Sequence, residues 1–508
     1  LVINNLFSNS PLARLFIFAV GGTGARVLRS LTMLLAAGVK LPNCDLVVPV
    51  LVDPDTQNGD VTRTVELLKR YARLHQALHQ DGQRPVGEGF FGQPLATLAQ
   101  LNTAGAEGLR DSFVYDFGGI SQSFKEFVKY NETSVETQGL LDLLFTPDSL
   151  GASLDVGFRG SPNVGSVVLN SLVQAKEMRF LAQTLNPDDR VFFISSIFGG
   201  TGAAGFPLLV KNLRDPDSGL PQPQVRASVP AGALVVLPYF KLQQPSAEEK
   251  AAGQDFIDSN AFITKTKTAL SYYADHLQGL EALYYLGDQA GQPLPNHPGR
   301  AEQRNQAHLL EMLGALAIPH FLAQPASQLD RTAPAYHEFG LQRDEPTTDF
   351  SQLPPALRRE VARPLIQLHY FARYFRYHLG DDKNAPFYSA GKVGKHLPAS
   401  SGPLADLTDF FTDYESWLRE LGVNERRFNG LRVDEADFNK MVADKTIAAS
   451  AWNPLQKGLT ASTIREELNK AVGKTTLDNP DAPRVLRWLV EAFDQATASV
   501  VENKLQYQ

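Results

Sequence analysis

The chain has 508 residues, 43% of them hydrophobic and 20% charged, with a net charge of −7 at neutral pH. That is ordinary globular composition, long enough for two or three domains, and its mild acidity argues against broad nonspecific binding of nucleic acid. The single cysteine, Cys44, excludes an internal disulfide framework and a multi-cysteine zinc site and fits a reducing, cytoplasmic setting. No apolar run reaches the eighteen or so residues of a membrane span.

In chain order, the first apolar run, RLFIFAV, ends in glycines and not in a cleavage site. It therefore reads as a buried parallel strand over 15–20, not as a signal peptide. Helical spacing follows over 26–37. A second strand, 45–52, delivers Asp53 and Asp55 at its carboxyl end. A helix is predicted over 65–79 and a glycine-rich loop over 82–94. Residues 105–188 mix helical and loop-like patches and read as an insertion between core elements. A strand over 191–197 then runs into the loop of ISSIFGGTGAAG. A helix from 206, a strand over 233–237, a helix over 260–277, a short strand over 283–286 and a long apolar helix over 306–321 complete the pattern. Strands alternating with helices predict a doubly wound parallel α/β sheet. Beyond about residue 325 the chain turns mainly helical, with helices over 364–379, 404–421, 463–472 and 484–504. The predicted organisation is thus an α/β domain over 12–325 and a second, largely helical region over 326–508.

Two glycine-threonine-glycine loops stand at strand ends, AVGGTGA at 19–25 and FGGTGAAG at 198–205. A loop of this kind aims backbone amides and a helix amino end at one spot, which suits phosphate. Glycine permits close approach of the ligand and positive φ. A single such loop is as well explained by a tight turn. Two at the carboxyl ends of strands in one sheet predict a shared crevice.

The segment VFFISSIFGGTGAAGFPLL resembles the signature of the tubulin and FtsZ family, with Phe198 where the first glycine of the motif stands and Gly199, Gly200, Thr201, Gly202 and Ala203 following it. IFAVGGTGARVLRSL is similar to the family's first phosphate loop, and GALVVLPYF, ALYYLGD and RNQAHLLEMLG fall in the family's order. The resemblance implies a tubulin-like domain that binds GTP or GDP with Mg²⁺. It places Gly21, Gly22, Thr23, Gly24 and Ala25 on one side of the phosphates and the second loop on the other. Asp53 or Asp55 would meet ribose, or magnesium through water, with no metal held by protein ligands alone. Asp288 and Asn305 would contact the base, and Gly87-Glu88-Gly89 would sense the γ-phosphate. It also implies head-to-tail self-assembly into filaments. The family's paired catalytic carboxylates are missing from QPASQLDRTAP, where Asp330 is the lone acid, so slow or absent hydrolysis is expected.

Two other readings compete. AVGGTGARVLRSL followed by VLVDPDTQNGDVTR is also similar to the ubiquitin-activating-enzyme-like adenylyltransferases, with Asp53 and Asp55 as ATP ribose and magnesium ligands; this leaves the second loop unexplained. A tubulin-shaped scaffold independent of nucleotide is the other. His75 and His79, one turn apart, read as an exposed helix face and not a metal site. His308 and Glu311 read as a local pair, Cys44 as a small buried residue, and the aromatic run over 369–377 as a core face with arginines at its rim.

Overall fold

A computed structural model describes residues 13–505, except 81, 83, 102–105, 118–120, 159–160, 172–174, 245, 247–258, 290, 292, 296–298, 340–346, 445–457 and 479. Its centre is a six-stranded, all-parallel sheet in the order β2-β1-β3-β4-β5-β6. The strands are β1 (Arg14–Val20), β2 (Leu46–Val52), β3 (Arg190–Ser196), β4 (Ala231–Val236), β5 (Ala282–Leu286) and β6 (Ala335–Phe339). Every residue of β1, β2 and β4 is buried, as expected for parallel strands covered on both faces.

Helix α1 (Gly21–Ala36) leads from β1 outward to β2, and α2 (Gly59–His79) follows β2. In the insertion lie α3 (Val135–Leu144) and α4 (Pro162–Leu169). After β3 come α5 (Gly200–Arg214) and, between β4 and β5, α6 (Phe262–His276). Two short helices, α7 (Leu309–Ala315) and α8 (Ala317–Ala323), cross from the crevice edge of the sheet to the opposite edge. Along β3 the side chains alternate: Phe192 packs on Phe321 of α8, and Phe193 on Phe206 of α5. The sheet therefore separates α1 and α7–α8 from α5 and α6.

The mainly helical region contributes α9 (Arg363–Tyr377), α10 (Pro403–Val423), α11 (Ala461–Val472) and α12 (Ala482–Asn503). It is strapped to the sheet domain by ion pairs from Arg70 and Arg73 of α2 to Asp413 and Asp406 of α10, and by Trp417 Nε1 donating to Ser30 Oγ at 3.2 Å. The aromatic run on α9 is a core face, with His369, Tyr370, Phe371, Tyr374 and Phe375 buried and Arg373 and Arg376 on Glu415 at its edge.

Three differences from the sequence reading have physical causes. Helices α1 and α5 begin at their glycine loops, five or six residues before the apolar spacing starts, because a first turn of glycines carries no hydrophobic signal. The long helix expected over 306–321 is broken at Leu316. Pro319 has no N–H to give to the carbonyl of Ala315, so the ladder lapses there. Helix α2 begins at Gly59, where Asn58 Oδ1 caps Asp60 N at 2.8 Å.

The seat of α1 on the sheet requires glycine. A Cβ on Gly24 would stand 2.6 Å from the Ala19 carbonyl carbon and 3.1 Å from Ile194 O, all immovable backbone. Gly24→Ala is expected to lower the unfolding free energy by about 2 kcal/mol or more. Gly139→Ala, in open space within α3, should be neutral or stabilise by up to about 1 kcal/mol. Denaturant unfolding of both variants checks the contrast.

Candidate functional site: a crevice between two glycine loops

The chain leaves β1 to build one side of the sheet and leaves β3 to build the other, so the strand order reverses between these neighbours. Both glycine loops emerge at that switch point, where open parallel sheets form a crevice. Gly21 takes φ +74°, and a Cβ there would lie only 3.5 Å from Gly202 N. The loops are thus in near contact. Gly202 is itself pressed on β3, its Cβ position 2.7 Å from Ser196 O.

The two helices opening here have bare amino ends. Val20 and Gly199 occupy the cap positions of α1 and α5 without a side-chain hydrogen bond, and neither first turn holds an acid. Their leading N–H groups thus have no side-chain cap among the described residues. Gly22, Gly199, Thr201 and Ala203 are half-buried, whereas Gly21, Thr23, Gly24, Ala25, Gly200 and Gly202 are buried. The insertion returns to this point, with Gly157 bringing its Cβ position to 3.9 Å from Thr201 Oγ1.

Beneath the first loop lies a fully buried polar cluster. Arg26, in the first turns of α1, donates from Nε to Glu311 at 2.5 Å, from Nη1 to Asp60 at 2.8 Å and from Nη2 to Tyr239 Oη at 2.7 Å and Thr23 Oγ1 at 3.3 Å. Tyr239 in turn donates to Glu311 at 2.6 Å. Burial alone would lower the Arg26 pKa; Tyr239, Glu311 and Asp60 more than offset it, and the guanidinium stays charged. Asp60 also accepts from Arg63 at 2.8 Å and from Asn305 Nδ2 at 2.9 Å. Arg63 and Arg29 both pair with Glu420 of α10. The sequence hint for this cluster was a charge inside apolar helical patterns, Arg26 in one and Glu311 in another, each of which needs a buried partner.

Asp53 and Asp55 stand one strand over, past the end of β2. Asp53 Oδ1 accepts from Asp55 N at 3.0 Å, and Asp55 accepts from Arg300 N at 2.6 Å. Burial, with Asp55 and Asp60 nearby, pushes the Asp53 carboxyl up to about 7; burial also raises Asp55. Among the described residues no group of three His, Cys, Asp or Glu side chains is arranged to hold a metal ion.

The remaining residues lie in different settings. Asn305 reaches the crevice edge, with its amide engaged by Asp60. Asp288 is ion-paired with Arg426. Asp330 is exposed in a turn with Thr332, ahead of β6 and so at the sheet edge opposite the glycine loops. Gly87-Glu88-Gly89 is not at the crevice: Gly89 abuts Gly38, Arg84 and Asp494 at the far end of α1, about 24 Å away for a 16-residue helix. His75 and His79 are not an exposed face. They are buried and stacked at 4.1 Å, with Nδ1 of His75 on Phe91 O, and burial drives the His75 pKa down to about 3. The loop over 84–92 folds back on α2 and covers them, which helical spacing could not reveal. His308 and Glu311 form a local pair, a capping box at the start of α7. Cys44 is half-buried as a residue and not fully buried as expected, with its thiol pushed up to about 12 by burial.

The raised Asp53 pKa sets a pH dependence. Its unfolded value is about 4 and its folded value about 7, so this group's contribution to stability is full below pH 4 and is lost as pH rises toward 7. Within that window it lowers stability by up to about 1.4 kcal/mol per pH unit. Asp53→Asn should remove this slope and be the more stable protein at pH 8, as read by urea unfolding across pH.

Comparison of the chain with protein-family models, with curated proteins and with solved structures finds no match.

Proposed function

We propose that this chain binds a guanine nucleotide, GTP or GDP with Mg²⁺, in the crevice between its glycine loops, and that it self-assembles head to tail in the manner of tubulin-like proteins. The observation that carries the reading is the convergence of two helix amino ends without side-chain caps, from loops in near contact, at the switch point of a parallel sheet. Two such ends can grip a polyphosphate from both sides. The carboxylates of Asp53 and Asp55 supply hard oxygen acceptors for the water shell of a magnesium ion that arrives with the nucleotide. Bound there, the ion would offset phosphate charge and favour ionised Asp53.

Turnover is slow or absent in this reading. In-line attack on phosphate needs a positioned water, and Asp330, the lone acid of its loop, lies at the opposite sheet edge from the crevice of its own chain. Only a second copy stacked head to tail would bring the two together. The position of Asp53 and Asp55 beside the first loop favours a second reading, an ATP-binding adenylyltransferase, and a scaffold without nucleotide is a third.

The test is titration of GTP, GDP and ATP with magnesium into the purified chain and into Thr201→Asp. Thr201 is half-exposed in the first turn of α5, where an added carboxylate favours the helix. The fold should persist while like charge repels phosphate, weakening binding about 100-fold or more. Guanine-selective binding lost in the variant supports the proposal. ATP-selective binding supports the adenylyltransferase, and no binding to wild type the scaffold.

A further inference from the structure

Helix α3 stands out from the body of the protein with none of its residues buried. Leu140, Leu143 and Leu144 are 54%, 82% and 58% exposed and share one stripe at i, i+3 and i+4 spacing; Val135, 79% exposed, precedes them. Glu136 lies one turn before Leu140 on the same stripe. Around the stripe Glu136, Asp142 and Asp148 have no cation beside them among the described residues, whereas Glu132 pairs with Lys129 at 4.0 Å and Asp155 with Arg300 at 3.2 Å. An apolar stripe in an acidic setting calls for a partner that is apolar at its floor and basic at its rim.

The same chain presents such a surface. Between α4, α5 and α6 runs a groove of about 890 Å³, floored by Ala203, Pro207 and Leu208 and walled by Tyr272, which is 50% exposed and stacks on His276 at 4.8 Å. Lys211 and Lys265 stand at its rim, with Asp215 the one acid in its lining. The hydroxyl of Tyr273, buried in the wall, has no hydrogen-bond partner among the described residues. The lining follows α5 over 203–214 and α6 over 264–276, about 18 Å of helix, against about 15 Å for the ten residues of α3.

We propose that α3 of one copy of this chain docks in the α4–α5–α6 groove of a second copy, leucines inward and acids against the lysine rim. The two surfaces are different, so the contact is heterologous, and repetition extends a chain of subunits instead of closing a dimer. The proposal gives a surface to the self-association part of the reading above and rests on that part alone; it uses none of the nucleotide chemistry.

Sedimentation velocity of the full chain, without nucleotide and from micromolar to submillimolar concentration, tests it. Wild type is expected to grow in mass with concentration. Leu140→Asp with Leu143→Asp, and separately Lys211→Glu with Tyr272→Asp, should each remain monomeric with unchanged circular dichroism. A mixture of the two variants pairs the intact groove of one with the intact α3 of the other, and should give a 1:1 dimer and nothing larger. A monomeric wild type, self-association that survives in either variant, or a mixture that stays monomeric overturns the proposal. Titrating nucleotide into the same variants reads the crevice separately.

Discussion

The fold around the crevice depends on one buried cation. Arg26 joins α1 to α2 through Asp60, to α7 through Glu311 and to the segment after β4 through Tyr239. These elements come from sequence positions up to 285 residues apart, and no apolar contact could hold them in one register as specifically. Each carboxylate in the cluster is buried, so loss of the guanidinium would leave Glu311 an uncompensated anion and Asp60 with Arg63 as its remaining cation, an imbalance of about 3–5 kcal/mol in comparable pairs. The cluster also fixes the floor of the first glycine loop, since the guanidinium sits directly below Gly22. Architecture and candidate site therefore share a single electrostatic foundation.

The alternation of apolar runs and helical spacing made the sheet legible in advance. Parallel strands buried on both faces must be continuously apolar, and the glycine loops mark where each one stops. The core strands β1 to β5 were expected within one or two residues of their ends; β6, outside that pattern, was not. What periodicity could not convey was long-range closure. Nothing local says that Arg26 meets Glu311, that the 84–92 loop folds over His75 and His79, or that Asp288 is claimed by Arg426. The glycine-rich 87–89 segment shows the limit most plainly. Its composition suits a phosphate loop, but its place in space is set by the return of α12 against α2, with Asp494 beside Gly89.

The electrostatics of the crevice edge are unbalanced. Asp60 is well supplied with donors, from Arg26, Arg63 and Asn305, whereas Asp53 receives one backbone N–H. Burying a carboxylate with so little compensation raises its proton affinity, because burial favours the neutral form.

Glu420 joins the two halves of the chain. It lies on α10, in the mainly helical half, yet it balances Arg29 and Arg63 of the sheet half and accepts from Ala307 N beside α7. Strand β6 likewise comes from beyond residue 325 and completes the sheet. The change in composition there marks a change of architecture and not a place to cut. A shortened chain ending near residue 325 would keep every glycine of the crevice and still lose Glu420, the acid that pairs with Arg29 and one of the two that pair with Arg63. Such a fragment would need a new partner for the Arg29 guanidinium before it could stand alone.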